Sequence, residues 1–179
     1  MARLIVLNGP PGIGTSTLAQ RYADDHPLSL CLEQDVLRGL LGGWLSRESE
    51  SGALARKLCL VMAREHLHGA YDVIVPQFVA LPSYLDQLAV LAADAGAQHI
   101  ESVLLDDRHS AERRFHRRLQ DPSRAEHQRI AARSVADAGG YAHQYGRLVQ
   151  GLVGRDVIEI RSQDGDVEGT YRRLLDCLR

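Results

Sequence analysis

The sequence predicts an α/β fold, a five-stranded parallel sheet with helices on both faces. Three observations carry this. Short apolar runs alternate with helically periodic stretches from one end of the chain to the other. A glycine-rich turn, Gly9 to Gly14, joins the first apolar run to the first helical stretch. No linker, repeat or low-complexity segment interrupts the pattern, so residues 1–179 read as one domain, long enough to bury a core without disulfides.

Arg3 to Asn8 is a short apolar run bounded by Gly-Pro-Pro-Gly, as expected of a buried parallel strand. Thr15 to Asp25 repeats its apolar residues at helical spacing. Leu28 to Leu32 reads as the second strand, and Asp35 to Trp44 as a helix broken near Gly42-Gly43. Glu48 to His68 is a long amphipathic helix. Asp72 to Val75 is the third strand, stopped by Pro76. Pro82 to Ala95 is a helix with proline in its first turn, and Ile100 to Leu105 the fourth strand. Asp107 to Ala138 is charged and helical, with a break at Asp121-Pro122. Tyr141 to Val153, Val157 to Ile160 and Val167 to Leu178 complete the series as helix, strand and helix.

Composition narrows the function. Formal net charge is -2, so a nucleic-acid partner would need a local basic patch. Cys31, Cys59 and Cys177 are scattered without CxxC spacing and read as reduced thiols, and eight histidines show no zinc-ligand spacing with them. The run Leu4 to Leu7 is too short for a signal sequence or membrane span. A cytoplasmic protein with no membrane partner is the expectation. Nearly every basic residue is arginine, Lys57 being the sole lysine.

Gly9-Pro10-Pro11-Gly12-Ile13-Gly14-Thr15-Ser16-Thr17 fits the phosphate-loop pattern GxxxxGK[ST] at every fixed position except the lysine, where Thr15 stands. Glycines let backbone N–H groups curl around phosphate oxygens, and the following helix adds its positive dipole end. Ser16 takes the hydroxyl position that ligates Mg²⁺. Threonine cannot supply the lysine's charge. Three explanations stand open: an arginine elsewhere substitutes, the protein binds nucleotide without turnover, or the sequence is an engineered variant of a lysine-bearing parent.

Gly-Pro-Pro-Gly-Ile-Gly-x-Ser-Thr-Leu-Ala resembles the opening of the small P-loop kinases, the group of shikimate, gluconate and adenylate kinases, chloramphenicol phosphotransferase and zeta toxins. The resemblance implies a P-loop NTPase fold that moves the γ-phosphoryl group of ATP or GTP, with Mg²⁺, to a small acceptor. It implies nucleotide contacts along Gly9 to Thr17.

Glu33-Gln34-Asp35-Val36-Leu37-Arg38 leaves the second strand, whose carboxyl end faces the ligand crevice in such sheets. The resemblance gives Asp35 the role of accepting the acceptor's proton or holding Mg²⁺ beside Ser16, and makes Arg38 an acceptor-binding arginine. The plainer alternatives are a helix N-cap for Asp35 and a solvated charge for Arg38. Glu33 is a second acidic candidate. No aspartate ends the third strand, where Gln77 stands; Trp44 and Tyr84 are candidate pocket walls.

The segment 107–138 carries Arg108, Arg113, Arg114, Arg117, Arg118 and Arg124. By resemblance it is an arginine-rich helical lid, with Arg114 and Arg117 acting on the transferring group and Arg118 on the nucleotide. The alternative is a solvated face paired with Asp106, Asp107 and Glu112. A nucleic-acid clamp is not expected, because only Phe115 interleaves the charges. The sequence therefore reads as a small-molecule kinase, with a nucleotide-binding module of little turnover as the alternative.

Overall fold

The computed structural model describes residues 1–78, 82–120, 135–136 and 139–179. Five strands form one parallel sheet in the order β2-β3-β1-β4-β5: β1 Arg3–Asn8, β2 Leu30–Cys31, β3 Val73–Gln77, β4 Gln98–Leu105 and β5 Ile158–Arg161. The helices are α1 Thr15–Asp25, α2 Gln34–Gly39, α3 Glu48–His68, α4 Pro82–Asp94, α5 Arg108–Arg118, α6 Tyr141–Leu152 and α7 Val167–Cys177.

The two faces of β1 explain the layering. Ile5 and Leu7 point into a core shared with Leu18 and Tyr22 of α1, Phe115 of α5, Tyr141 of α6 and Leu174 of α7. Leu4 and Val6 point the other way, against Cys59 and Ala63 of α3 and Leu85 and Leu88 of α4. A strand buried on both sides must be apolar at consecutive positions, and Leu4 to Leu7 are all fully buried.

Several expected boundaries move: β2 keeps only Leu30–Cys31 of the run expected over 28–32, and β4 begins two residues early, at Gln98. Pro76 does not stop β3; the strand continues to Gln77, with Pro76 level with Leu7 of β1. The amides of Leu30 and Leu32 donate to the carbonyls of Asp72 and Ile74, so this parity of β3 faces β2. Pro76 belongs to that parity, and its missing N–H falls where β2 has already ended. The helix expected to Trp44 ends at Gly39, and the chain proceeds through turns over 40–46. Of the segment expected as a helical lid, Arg108–Arg118 forms α5; Pro122, Arg124 and most of 121–138 lie outside the described residues.

Chain direction fixes where a ligand would sit. β1 sends its chain to one edge of the sheet at β2, whereas its neighbour β3 sends its chain past β1 to β4. The crevice outside the carboxyl ends of such strands is the ligand position of this sheet class.

Candidate active site

A cleft of about 700 Å³ opens at this place. The loop 9–14 forms one wall. Gly12 and Gly14 adopt φ of 84° and 107°, the left-handed region that L side chains avoid. Close approach adds a second demand at Gly12, where a Cβ would lie 2.7 Å from the Cα of Phe115. The loop is held by its own bonds: Gly9 N–H donates to the Asn8 side-chain oxygen at 2.8 Å, and Ile13 N–H to the Pro10 carbonyl at 3.2 Å. Gly14 begins α1 with no side-chain cap, leaving the helix's positive end facing the loop.

Thr15 lines the cleft, its methyl turned back to 3.1 Å from where a Gly9 Cβ would stand. Ser16 Oγ donates to Glu33 Oε1 at 3.0 Å. Glu33 is also the N-cap residue of α2, a place the sequence reading allowed to Asp35; Asp35 sits in the first turn, exposed on the cleft wall. Thus the hydroxyl singled out for a metal contacts the carboxylate that was only the second acidic candidate. Among the described residues no three His, Cys, Asp or Glu side chains cluster as a metal cage.

Arg38 lines the cleft but is committed to structure. Its Nε donates to Ser51 Oγ at 3.0 Å and its Nη2 to the Glu48 carbonyl at 2.7 Å, and its guanidinium lies 5.5 Å from the Trp44 ring. It fastens α2 to the start of α3. Trp44, Gln77 and Phe78 also line the cleft, whereas Tyr84 is buried in the α3–α4 core.

The arginines of α5 separate into three positions. Arg114, 12% exposed, turns under the loop: Nη2 donates to the Ile13 carbonyl at 2.6 Å and Nη1 to the Ser162 carbonyl and hydroxyl, each at 3.2 Å. Arg117 lies outside the cleft, its two terminal nitrogens donating to Asp164 at 3.1 and 2.7 Å. Those bonds raise the Arg117 pKa and hold the Asp164 carboxyl below its usual range. Arg118 lines the cleft. Tyr141 braces the loop from α6, donating to the Pro11 carbonyl at 3.1 Å, and burial raises its pKa.

Arg56 was not singled out by sequence. From α3 it enters the cleft wall with Gly52, one turn before it, and makes no hydrogen bond or ion pair with a described residue. Its i, i+4 relation to Gly52 was visible, but nothing along the chain tied that helix face to a loop more than thirty residues away.

Residues 4–136 match the family described as an AAA domain. The chain belongs to that family. Its AAA-domain fold is also that of solved structures of kinase-like P-loop proteins. A gluconokinase from Sinorhizobium meliloti is 18% identical, with 97% of this chain and 90% of that one covered and a TM-score of 0.59. The tunicamycin resistance protein of Deinococcus radiodurans is 17% identical, with 98% and 95% covered and a TM-score of 0.59. No curated relative matches the sequence. The P-loop kinase-like fold expected of this AAA-domain chain is therefore shown, and no described helix is long and apolar enough to cross a membrane.

Proposed function

We propose that the protein is a nucleotide-dependent kinase of a small hydroxyl compound. The observation that carries this is the shared cleft: a phosphate-type loop on one wall, and Glu33, Asp35, Arg38, Trp44 and Arg56 on the others. The loop amides and the start of α1 bind the phosphates of ATP or GTP. Arg118 adds a cation from α5. Arg56 offers a second cation on the acceptor side, suited to an anionic or polyhydroxylated acceptor.

Ser16 and Glu33 fit Mg²⁺, which accepts a hydroxyl and one carboxylate and completes its shell with phosphate oxygens and water. When bound, the metal would neutralise charge on the β- and γ-phosphates. Asp35 takes the acceptor's proton as that oxygen bonds the γ-phosphorus. The bond from γ-phosphorus to the bridging oxygen breaks, and nucleoside diphosphate leaves. Arg38 positions α2, and hence Asp35, through its bonds to Ser51 and Glu48. Arg114 supports the loop from beneath; Arg117 stands at the rim.

Calorimetry with ATP and GTP, with and without Mg²⁺, tests the nucleotide half. Glu33→Gln should weaken the Mg²⁺-dependent part of binding. Asp35→Asn should keep binding and lose transfer to any acceptor found by screening sugar acids, polyols and nucleosides. No heat with any nucleotide would end the proposal.

Thr15 supports a second reading, a nucleotide-binding module with little turnover. Tight binding without transfer or hydrolysis would favour it.

A further inference from the structure

Two arginines reach the acceptor side of the cleft, and they differ in what they hold. Arg38 is bound to Ser51, to the Glu48 carbonyl and over the Trp44 ring. Arg56 is half-buried, lines the same cleft, and makes no hydrogen bond or ion pair with a described residue. Glu33, Asp35 and Glu48 share those walls, yet none closes an ion pair with it. A guanidinium drawn part-way out of water and given no protein acceptor needs one from elsewhere.

Helix α3 leaves room for that acceptor group. A helical side chain leans back over the turn before it, and Arg56 Nη1 lies 3.8 Å from where a Gly52 Cβ would stand. Nothing else comes within 4 Å of that position, and the Gly52 φ is not left-handed. Neither packing nor backbone therefore requires glycine here. Glycine inside a helix is unfavourable against alanine. What its missing methyl leaves is open space in the cleft wall, beside the unpartnered guanidinium.

We propose that the phosphoryl acceptor is a hydroxy acid, its carboxylate held by Arg56 in the room beside Gly52 and its hydroxyl turned to Asp35. This rests on the kinase reading above. A guanidinium presents parallel N–H groups that match the two oxygens of a carboxylate. A phosphate group fits the same fork, but it brings up to two negative charges into walls that already carry Glu33, Asp35 and Glu48. A single charge is repelled least there. The transfer is the one already described: the hydroxyl oxygen bonds the γ-phosphorus, its proton passes to Asp35, and nucleoside diphosphate leaves. The carboxylate is an anchor and is unchanged by the reaction.

Matched acceptors test this, with ATP, Mg²⁺ and an assay for diphosphate release. One set is glycerate, glycerol and glycerol phosphate; the other is gluconate, glucitol and glucitol phosphate. The hydroxy acid should be the preferred member. Arg56→Ala should raise its KM roughly 10- to 100-fold, the worth of a charge-assisted pair. Arg56→Lys should recover part of that loss, and nucleotide affinity by calorimetry should hold in both variants. Gly52→Ala should raise the same KM several-fold while the melting temperature holds or rises, which a merely structural role would not produce. Preference for the uncharged or the phosphorylated member would overturn the inference and leave the kinase reading standing. So would an unchanged KM in Arg56→Ala or Gly52→Ala, or a fall in nucleotide affinity in Arg56→Ala, which would set the guanidinium on the donor phosphates. Transfer found only to acceptors without a carboxylate in the broader screen would likewise end this inference alone; transfer to nothing would end both.

Discussion

Arg114 Nη2 lies 2.6 Å from the carbonyl oxygen of Ile13, so a guanidinium of α5 holds the phosphate loop from below. The same arginine reaches Ser162, whose hydroxyl also donates to Ile13 at 3.2 Å. Three segments distant in sequence thus meet on one loop carbonyl. Truncating Arg114 removes one of two donors from the Ile13 carbonyl and the Arg114 donor from the Ser162 carbonyl, and a buried acceptor left unsatisfied costs about 1–3 kcal/mol. Arg114→Ala should lower the melting temperature and weaken nucleotide binding together. Arg118→Ala should leave the melting temperature unchanged and weaken binding roughly 10- to 100-fold, the worth of a charge-assisted bond. Thermal denaturation and calorimetry on the pair separate the two roles; equal effects on both readouts would refute the division.

Gly12 is fixed by two independent demands, a φ of 84° and the backbone of Phe115 at 2.7 Å from a Cβ. Left-handed backbone alone costs a non-glycine residue about 1–2 kcal/mol. Alanine here should exceed that, because the Phe115 main chain cannot swing aside as a side-chain tip can. Urea denaturation of Gly12→Ala should show a loss above about 2 kcal/mol. Gly42→Ala is the control, since a Cβ there meets nothing within 4 Å.

Asp72 ties the start of the sheet together. Its carboxylate accepts from Arg3 N at 2.8 Å, Arg3 Nε at 3.0 Å and the Tyr22 hydroxyl at 2.6 Å. Burial alone would raise its pKa; the bonds from Tyr22 and Arg3 outweigh this and lower it. A depressed carboxylate contributes stability that is present above its unfolded pKa of about 3.9 and fades as pH falls through the lower folded value. Asp72→Asn should therefore destabilise by about 1–3 kcal/mol near neutrality. The gap to wild type should narrow in acid below that unfolded pKa. Denaturation curves at neutral and acid pH measure both; a gap that widens in acid would contradict the assignment.

How far the sequence spoke depended on whether a property was local. The bounds of β1, α1 and α3 follow from runs and periodicities within each segment, and the structure has them at Arg3–Asn8, Thr15–Asp25 and Glu48–His68. Pro76 misled because its tolerance depends on where β2 ends, a fact of another strand. The loop was legible as a contiguous motif. Arg114, Arg117 and Arg118 were not separable, since one charged run gives no sign of which side chain turns under the loop. Phe115 decides that: its ring enters the core beside Tyr141, carrying Arg114 inward with it. Arg56 stayed hidden for the same reason, its meaning lying in a cleft assembled from distant segments.

The residue that departs from the loop pattern yields the sharpest prediction. Thr15 stands at the first turn of α1 with its methyl folded over Gly9, in a cleft that already holds Arg56 and Arg118. A lysine at this position spans the β- and γ-phosphates and gains strength as charge develops during transfer. Thr15→Lys should tighten triphosphate binding more than diphosphate binding, and should raise any turnover by about a hundredfold, the lower range for one preorganised electrostatic donor. Calorimetry with both nucleotides and a coupled assay for diphosphate release check this. If Arg56 or Arg118 already fills the lysine's place, the gain should be small in the wild-type background. It should then appear in full only when that arginine is changed to alanine. A lysine without effect in every background would mean that the transferring phosphate does not lie over Thr15, and would remove the loop from the chemistry.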